Sequence, residues 1–212
     1  MDYPSLRIKV WGPYACFTRP EFKVERVTYP VMTPSAARGV LEAVFWKPEF
    51  KWQVRKIMVL NPIKLFSIRR NEVNKRASPQ STGFFADDED VRTQRHSLVL
   101  RDVAYIIEAD IVVDRSKTSE DPAKWRDQFR RRVERGQCYH RPYLGCREFS
   151  ADFGPPNGTE TPIDHSEDLG LFLFDIAHLP SEKKPRFFQA RLEQGVLVVP
   201  QELYEAPAPN IG

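Results

Sequence analysis

The segment VLRDVAYIIEADIVV, residues 99–113, decides the fold class of this chain. It is rich in valine, isoleucine and tyrosine, which favour β-strands, and it therefore predicts a strong strand. Residues 6–11 alternate apolar and polar side chains and predict a half-buried strand that ends at Gly12. Residues 52–66 are rich in valine, isoleucine and leucine and predict a further strand, bent or interrupted at Pro62.

A helix is predicted between the strands at 6–11 and 52–66. Thr33 can cap the free N–H groups at its start, and Pro34 follows at a position where its missing N–H does no harm. Alanine and valine recur every four residues from 36 to 44 and form one apolar stripe. Pro48 stops the helix near Trp46.

Residues 122–135 predict a second helix, which ends at Gly136. Trp125, Phe129 and Val133 fall four residues apart on one face, while arginines occupy the rest of the surface. We therefore expect Trp125 to lie in the core.

The predicted elements follow the order strand, helix, strand, strand, helix, strand. The last of them is a short strand-like segment at 143–149, and residues 71–90 are predicted to form a long polar loop. This is the split βαβ pattern of a ferredoxin-like, or RRM-like, α+β domain. Such domains often bind single-stranded RNA on the sheet face, although the fold also carries many unrelated functions.

Three apolar runs near the C-terminus, at 171–176, 186–192 and 196–199, predict a small antiparallel sheet. A hairpin is predicted at 193–195, where the sequence reads Glu-Gln-Gly. The chain is accordingly divided into a ferredoxin-like domain at 1–165, a small sheet domain at 166–205 and a disordered tail at 206–212.

Composition excludes several classes of protein. No apolar run approaches the roughly 20 residues that span a bilayer, and the N-terminus has no secretory pattern. The three cysteines, at positions 16, 138 and 146, lack the spacing of a zinc site. We expect a cytoplasmic chain with no membrane segment, no metal and no cofactor.

The net charge of +3 is modest, but the positive residues are clustered. One cluster is Lys51, Arg55, Lys56, Lys64, Arg69, Arg70, Lys75 and Arg76, and the other is Lys124, Arg126, Arg130, Arg131, Arg132, Arg135, Arg141 and Arg147. Two clusters with interleaved aromatic residues indicate a polyanionic partner. A solvated basic face is the alternative.

Seven blocks of the sequence resemble one known family. They are WGPYACFTRP (11–20), PSAARGVLEA (34–43), WKP (46–48), IRRNEV (68–73), LRDVAY (100–105), FRRR (129–132) and LGCREF (144–149). Together they resemble the Cas5 proteins of CRISPR subtype I-C, which are members of the RAMP superfamily. The match runs in order from about Trp11 to Phe149.

The resemblance implies a ferredoxin-like domain with a small C-terminal β-sheet. It implies binding of the repeat hairpin and 5′ handle of a CRISPR RNA, and membership of the type I-C Cascade with its backbone and large subunits. It also implies cleavage of the RNA precursor without a metal, in which the 2′-hydroxyl attacks the adjacent phosphate and leaves a 2′,3′-cyclic phosphate and a 5′-hydroxyl.

The family pattern has an aromatic or imidazole residue before the Trp-Lys-Pro block and a Lys-His pair at the start of the second helix. This chain has Phe45 at the first position and Trp125 in place of the histidine, so that only Lys124 is retained. His96 and His140 are further catalytic candidates because imidazole titrates near neutral pH.

The residues expected to bind RNA are mostly cations on the matching blocks and in the basic clusters. They are Tyr14, Arg19, Lys23, Arg26, Arg38, Lys47, Arg69, Arg70, Arg95, Arg130, Arg131 and Arg147. Gly39 in mid-helix costs about 1 kcal/mol relative to alanine, which indicates close approach by another backbone or by RNA.

Three functions remain open at this point. The first is a processing endoribonuclease that stays bound to its product. The second is a handle-binding subunit of the complex that does not cut RNA. The third is a ferredoxin-like module for a small ligand or a protein partner, which would show no salt-dependent affinity for RNA.

Overall fold

The computed structural model describes residues 3–22, 24–75, 78, 83–86, 88–178 and 182–205. The strands are β1 (Leu6–Ala15), β2 (Phe50–Val59), β3 (Leu65–Val73), β4 (Arg92–Val113), β5 (Asp152–Gly154), β6 (Glu167–His178), β7 (Lys183–Glu193) and β8 (Val196–Val198). The helices are α1 (Pro34–Val44), α2 (Pro122–Glu134) and α3 (Glu202–Glu205). In these parts of the chain, no helix has both the length and the apolar character needed to cross a membrane.

The strands form a sheet in the order β5-β1-β4-β2-β8-β7-β6. Strand β3 is not part of this order and pairs with β4. Every pairing between the named strands is antiparallel. The coarse prediction of antiparallel strands accompanied by few helices is therefore confirmed. The finer assignment to a ferredoxin-like domain remains a prediction.

Helices α1 and α2 pack against one face of the sheet. The predicted cap of α1 is present, since Thr33 accepts a hydrogen bond from the Ala36 N–H at 3.2 Å. The N-cap of α2 is Asp121, which accepts a hydrogen bond from the Ala123 N–H at 2.8 Å. The alternate residues of β1, β2 and β4 that point to this face, including Ile8, Ile57 and Ile107, are buried.

A cluster of aromatic rings fills the space between these helices and the sheet. Phe50 contacts Phe45, Trp52 and Trp125, and Trp52 contacts Phe129, in tilted or edge-on pairs with ring centroids 4.8–5.9 Å apart. Trp125 is 5% exposed and Phe45 is 1% exposed, so both belong to the core. The prediction that Trp125 packs in the core is confirmed.

The predicted strand at 52–66 is interrupted around Pro62, which confirms one of the two predicted forms, a bend being the other. It forms β2 and β3, separated by residues 60–64, and β3 then continues to Val73 into the predicted loop. Strand β4 begins at Arg92 rather than 99. These extensions pair with each other as a hairpin that is solvated along much of its length, and such strands lack the apolar alternation on which the prediction relied.

The segment at 143–149 is not a strand. A single bridge joins Tyr143 to Ser150, and the strand that completes the order is β5, which pairs with β1. The segment instead runs beside the end of β1, where the N–H of Cys16 donates to the carbonyl of Leu144 at 3.0 Å.

The predicted C-terminal sheet is present as β6, β7 and β8. The turn between β7 and β8 has positive φ at Gln194 (46°) and Gly195 (73°), which confirms the predicted hairpin. Strand β8 also pairs with β2, so this sheet continues the main one. The division into two domains stays a prediction, and the tail at 206–212 lies outside the described residues.

Two glycines with nearly equal positive φ provide a stability test. Gly145 (φ 86°) is so close to Cys16 that an added Cβ would overlap the Cys16 carbonyl, whereas Gly158 (φ 85°) has open space around it. We expect Gly158→Ala to destabilise the protein by about 1–2 kcal/mol through backbone strain alone. Gly145→Ala should cost about 1–3 kcal/mol more because of overpacking. Urea unfolding measures both values, and equal losses would contradict the close packing at Gly145.

Candidate nucleic-acid interface

The β3–β4 hairpin has two faces with different chemistry. Its register places Arg69 opposite His96, Asn71 opposite Gln94 and Arg70 opposite Arg95. Successive side chains of a strand point to opposite sides, so these pairs separate onto two faces. We call the face with Arg69, Asn71, Arg92, Gln94 and His96 the outer face, and the face with Arg70, Glu72, Arg95 and Ser97 the inner face.

The inner face is tied to the body of the protein by ion pairs. Glu148 accepts hydrogen bonds from Arg26 at 2.9 Å and from Arg70. Glu72 accepts from Arg70 at 2.8 Å and lies 3.2 Å from Arg95. The arginines of the inner face are therefore neutralised within the protein, and the hairpin is fixed in orientation.

A cysteine completes this network. Cys146 Sγ lies 3.2 Å from Nη1 of Arg26 and 3.6 Å from the hydroxyl of Thr18. Hydrogen bonding from the thiol of Cys16, assisted by Thr18 and the charge of Arg26, lowers the pKa of Cys146 to about 6, although burial opposes this shift. The same interaction, together with burial, raises the pKa of Cys16. The lowered pKa favours a thiolate at Cys146 beside Arg26, which also pairs with Glu148.

The outer face has the opposite character. Arg69, Arg92 and His96 are exposed. Among the described residues, no carboxylate forms an ion pair with any of them. The side chains of the amide pair Asn71 and Gln94 lie between the cations. This face can therefore offer hydrogen-bond donors and unneutralised positive charge to a polyanion.

A second cationic surface lies on α2. Lys124 is exposed and lies 3.3 Å from Glu120, and Arg130 is paired with Asp127 at 3.0 Å. Arg131 is exposed. Arg132 turns inward, where it donates to the carbonyl of Val44 at 3.0 Å and lies over the ring of Phe45. The second basic cluster is therefore partly structural.

His140 is held next to the end of α1. The N–H groups of Tyr139 and His140 both donate to the carbonyl of Ala43, at 2.8 Å and 3.3 Å. The Tyr139 side chain is 83% exposed, and its ring centroid lies 6.1 Å from that of His140. An exposed imidazole thus lies near the buried Phe45, at the end of α2 that Arg132 occupies.

The three predicted catalytic residues do not meet at one point. Lys124 and Arg132 are eight residues apart on α2, which is about 12 Å along the helix, so Lys124 and His140 lie near opposite ends of α2.

Asp110 of β4 lies beside the start of α2, where it lines one cavity with Pro122. His96 is fourteen residues from Asp110, roughly 46 Å along a straight strand. His96 therefore belongs to the hairpin surface, and the catalytic roles stay predictions.

The other predicted RNA-binding residues are dispersed. Tyr14 stacks on Phe66 at 5.9 Å, and Arg19 lies over the ring of Tyr29 at 4.7 Å. Arg38 is paired with Asp175 at 2.6 Å. Lys47 and Arg147 are exposed, and Lys23 lies outside the described residues.

Gly39 is surrounded by open space: a Cβ added there would have no neighbouring atom of the described residues within 4 Å. The predicted close approach of another backbone was therefore wrong, while the RNA alternative for Gly39 remains a prediction.

Sequence reasoning missed several residues of the hairpin surface. Glu72, Glu148 and Cys146 were missed because most of their arginine partners lie far from them along the chain. Arg92 was missed because it falls in a segment that was predicted to border a loop.

Comparisons with known proteins agree on one family. A family model described as CRISPR-associated protein (Cas_Cas5) matches residues 5–200. Two relatives are each called CRISPR pre-crRNA endoribonuclease Cas5d. The relative from Thermus thermophilus is 49% identical over 94% of this chain and 93% of its own. The relative from Mannheimia succiniciproducens is 42% identical over 92% of this chain and 94% of its own.

A solved structure shares the fold. It is described as the crystal structure of a CRISPR-associated protein, and it superposes with a TM-score of 0.70 at 22% identity over 94% of this chain and 93% of that chain. At this identity the likeness extends to the fold alone.

The Cys146 thiolate can be observed directly by titration. Ultraviolet absorbance of the thiolate should rise with a midpoint near pH 6, the value to which its surroundings lower the pKa. As the pH falls through this midpoint, protonation removes one of the three anions that face Arg26, Arg70 and Arg95. Cys146→Ser should abolish this transition and Cys138→Ser should leave it in place. A midpoint near the ordinary cysteine value of about 8.5 would contradict the network.

Proposed function

Because the chain belongs to the CRISPR-associated Cas5 protein family, we propose that it binds the repeat of a CRISPR RNA precursor and cleaves it. The observation that carries the proposal is the outer face of the hairpin, where Arg69, Arg92 and His96 are exposed without a carboxylate partner among the described residues. Exposed positive charge without a carboxylate partner attracts a phosphate backbone, whereas positive charge that is neutralised inside the protein does not. The names of both curated relatives support the same activity.

The finer fold assignment is part of the proposal. The strand order β5-β1-β4-β2, antiparallel throughout and with α1 and α2 on one face, supports a ferredoxin-like domain over residues 1–165. Residues 166–205 would form an appended sheet, which shares one edge with this domain through β2 and β8.

The chemistry that the family resemblance implies is attack of the 2′-hydroxyl on the adjacent phosphate without a metal ion. Lys124 is the cation for the developing phosphate charge. His140 is the candidate for proton transfer, because its exposed imidazole can both accept and donate a proton. Phe45 and Trp125 are buried and carry no acid or base group, so neither can serve in proton transfer. An RNA backbone that lies along α2, over Arg131, would contact both Lys124 and His140.

The alternative within the same family is a subunit that holds the 5′ handle and does not cut. The substitutions at positions 45 and 125 favour it, whereas the retained Lys124 favours cleavage. In either case we propose the backbone and large subunits of a type I-C Cascade as protein partners. The three free cysteines are in keeping with a cytoplasmic location.

Cleavage is tested with the purified protein and its own repeat RNA in EDTA. We expect a cut at the 3′ base of the hairpin that leaves a 2′,3′-cyclic phosphate. Lys124→Ala should lower the single-turnover rate about 100-fold or more, because a positioned cation on the reacting phosphate is removed. Lys184→Ala, an exposed lysine of β7, serves as the matched control. If no product forms at high enzyme excess, the proposed cleavage is overturned and the handle-binding alternative remains.

Binding is tested with two neighbouring arginines that point to opposite faces of β3. Arg69→Ala should reduce the slope of log affinity against log salt by about 0.7–0.9, the change expected for one lost phosphate contact. Arg70→Ala should leave this slope unchanged and instead destabilise the protein by about 1–2 kcal/mol, because its partners Glu72 and Glu148 lose hydrogen bonds. Equal slopes for both variants would contradict the division into two faces.

A further inference from the structure

A cleft of about 640 Å³ lies on the sheet face opposite α1 and α2. Its floor is formed by Lys9 and Trp11 of β1 together with Gly154 of β5, which project to the same side of the sheet. The connection after β5 forms one wall through Asn157, and Asn61 lies on another. Trp11 is 38% exposed, and the ammonium of Lys9 lies over its ring at 5.9 Å from the centroid, so a ligand can reach the part of the indole that Lys9 does not cover.

The charges that line the cleft are neutralised in pairs. Glu160 lies 3.3 Å from the ammonium of Lys9, and Asp102 lies 3.6 Å from Arg101. Asp152 accepts a hydrogen bond from Arg141. A cleft of this kind favours neither a phosphate group nor a metal cation. An aromatic face with amide groups at its sides suits a planar, neutral and polar ring.

The cleft also lies between the root of the hairpin and the segment that carries His140. Arg101, next to Asp102, is at the root of the β3–β4 hairpin and lies over the ring of Phe66 at 5.6 Å. Arg141, on the opposite side, follows His140 in the chain and reaches the cleft through Asp152. A strand of RNA that passes from the outer face of the hairpin towards His140 can therefore run through this cleft.

Backbone strain occurs at the same place. Asp102 has φ of 54°, one of two positive values among the described non-glycine residues. Its carbonyl is held by the amide of Asn61 at 2.8 Å. The other such residue, Gln194, lies in a tight hairpin turn that requires this conformation, whereas Asp102 lies within β4. Strained residues inside regular elements occur preferentially at binding sites.

We propose that this cleft takes the base of one unpaired nucleotide of the bound RNA, stacked on Trp11. The proposal rests on the proposed function, since it requires that the chain binds RNA. The volume lies within the range of about 300–1,000 Å³ typical of small-molecule sites and so accommodates a nucleotide. Asn61 donates through Nδ2 to Asp102, and Asn157 accepts through Oδ1 from Thr159, so Oδ1 of Asn61 and Nδ2 of Asn157 are the acceptor and the donor left for the edge of the base.

Two RNAs distinguish this site from the rest of the interface. One is the repeat hairpin with its single-stranded flank, and the other is the same hairpin without the flank. Trp11→Ala should weaken binding of the flanked RNA about tenfold, the effect of losing one stacked base, and should leave the hairpin alone unaffected. Trp11→Phe should restore most of the affinity because phenylalanine also stacks. Phe22→Ala, an exposed aromatic residue outside the cleft, is the control.

A second variant closes the cleft and leaves Trp11 in place. A Cβ at Gly154 would lie 3.8 Å from the Trp11 ring, an ordinary contact, so Gly154→Val should fold and cover the indole. It should reproduce the loss seen with Trp11→Ala. Substitution of 2-aminopurine at successive flank positions should show quenching at one position in the wild type and at none in Gly154→Val.

The outcomes of these experiments distinguish failure of the base-binding site from failure of the proposed function. Wild-type affinity for flanked RNA with no loss in Trp11→Ala and Gly154→Val would overturn the base-binding site and leave the proposed function intact. Equal losses on both RNAs would also overturn it, because the effect would then not concern an unpaired base. Absence of salt-dependent RNA binding in the wild type would instead overturn the proposed function.

Discussion

Both edges of β4 are hydrogen-bonded along most of its length, and this pairing determines where the functional side chains lie. Its C-terminal half pairs with β1 and β2, and its N-terminal half pairs with β3. On the other edge of that half, Leu98 exchanges backbone hydrogen bonds of 3.1 Å and 2.8 Å with Thr28 and Arg26. Buried backbone groups must be paired, and a slip of one residue would exchange the two faces of the sheet. One register thus buries Ile107 and exposes His96.

The same register sorts the positive charge. Arg69 and Arg70 are neighbours in the chain, yet one faces solvent and the other faces two glutamates. Exposed ion pairs contribute little to stability, but a network of several groups can fix the orientation of a hairpin that has few apolar contacts. Glu72 and Glu148, with Cys146 against Arg26, thereby determine which arginines remain available for a polyanion.

On the helical side of the sheet, packing likewise separates buried residues from the exposed residues that we propose for catalysis. The aromatic cluster that joins α1 and α2 to the sheet includes Phe45 and Trp125, so these positions contribute packing instead of proton transfer. Lys124 and His140 remain at the surface on either side of this cluster. The cleft at Trp11 lies on the opposite side of the sheet, and the pair Arg141–Asp152 connects it to His140 around the β5 edge. The hairpin, the cleft and α2 can thus be reached by one continuous strand of RNA.

The sequence by itself determined the features that depend on neighbours along the chain. Caps and apolar stripes predicted α1 and α2, the Gln194-Gly195 turn predicted the last hairpin, and the matching blocks identified the family. Local patterns could not predict β3 or the extension of β4 to Arg92, because a solvated hairpin is stabilised by pairing between strands. Only the tertiary structure decided which cations are free and where the cleft forms. Glu148, Gly154 and Ala43, which lie against Arg70, Trp11 and His140, are far from them in the sequence, and only strand pairing and packing bring them together.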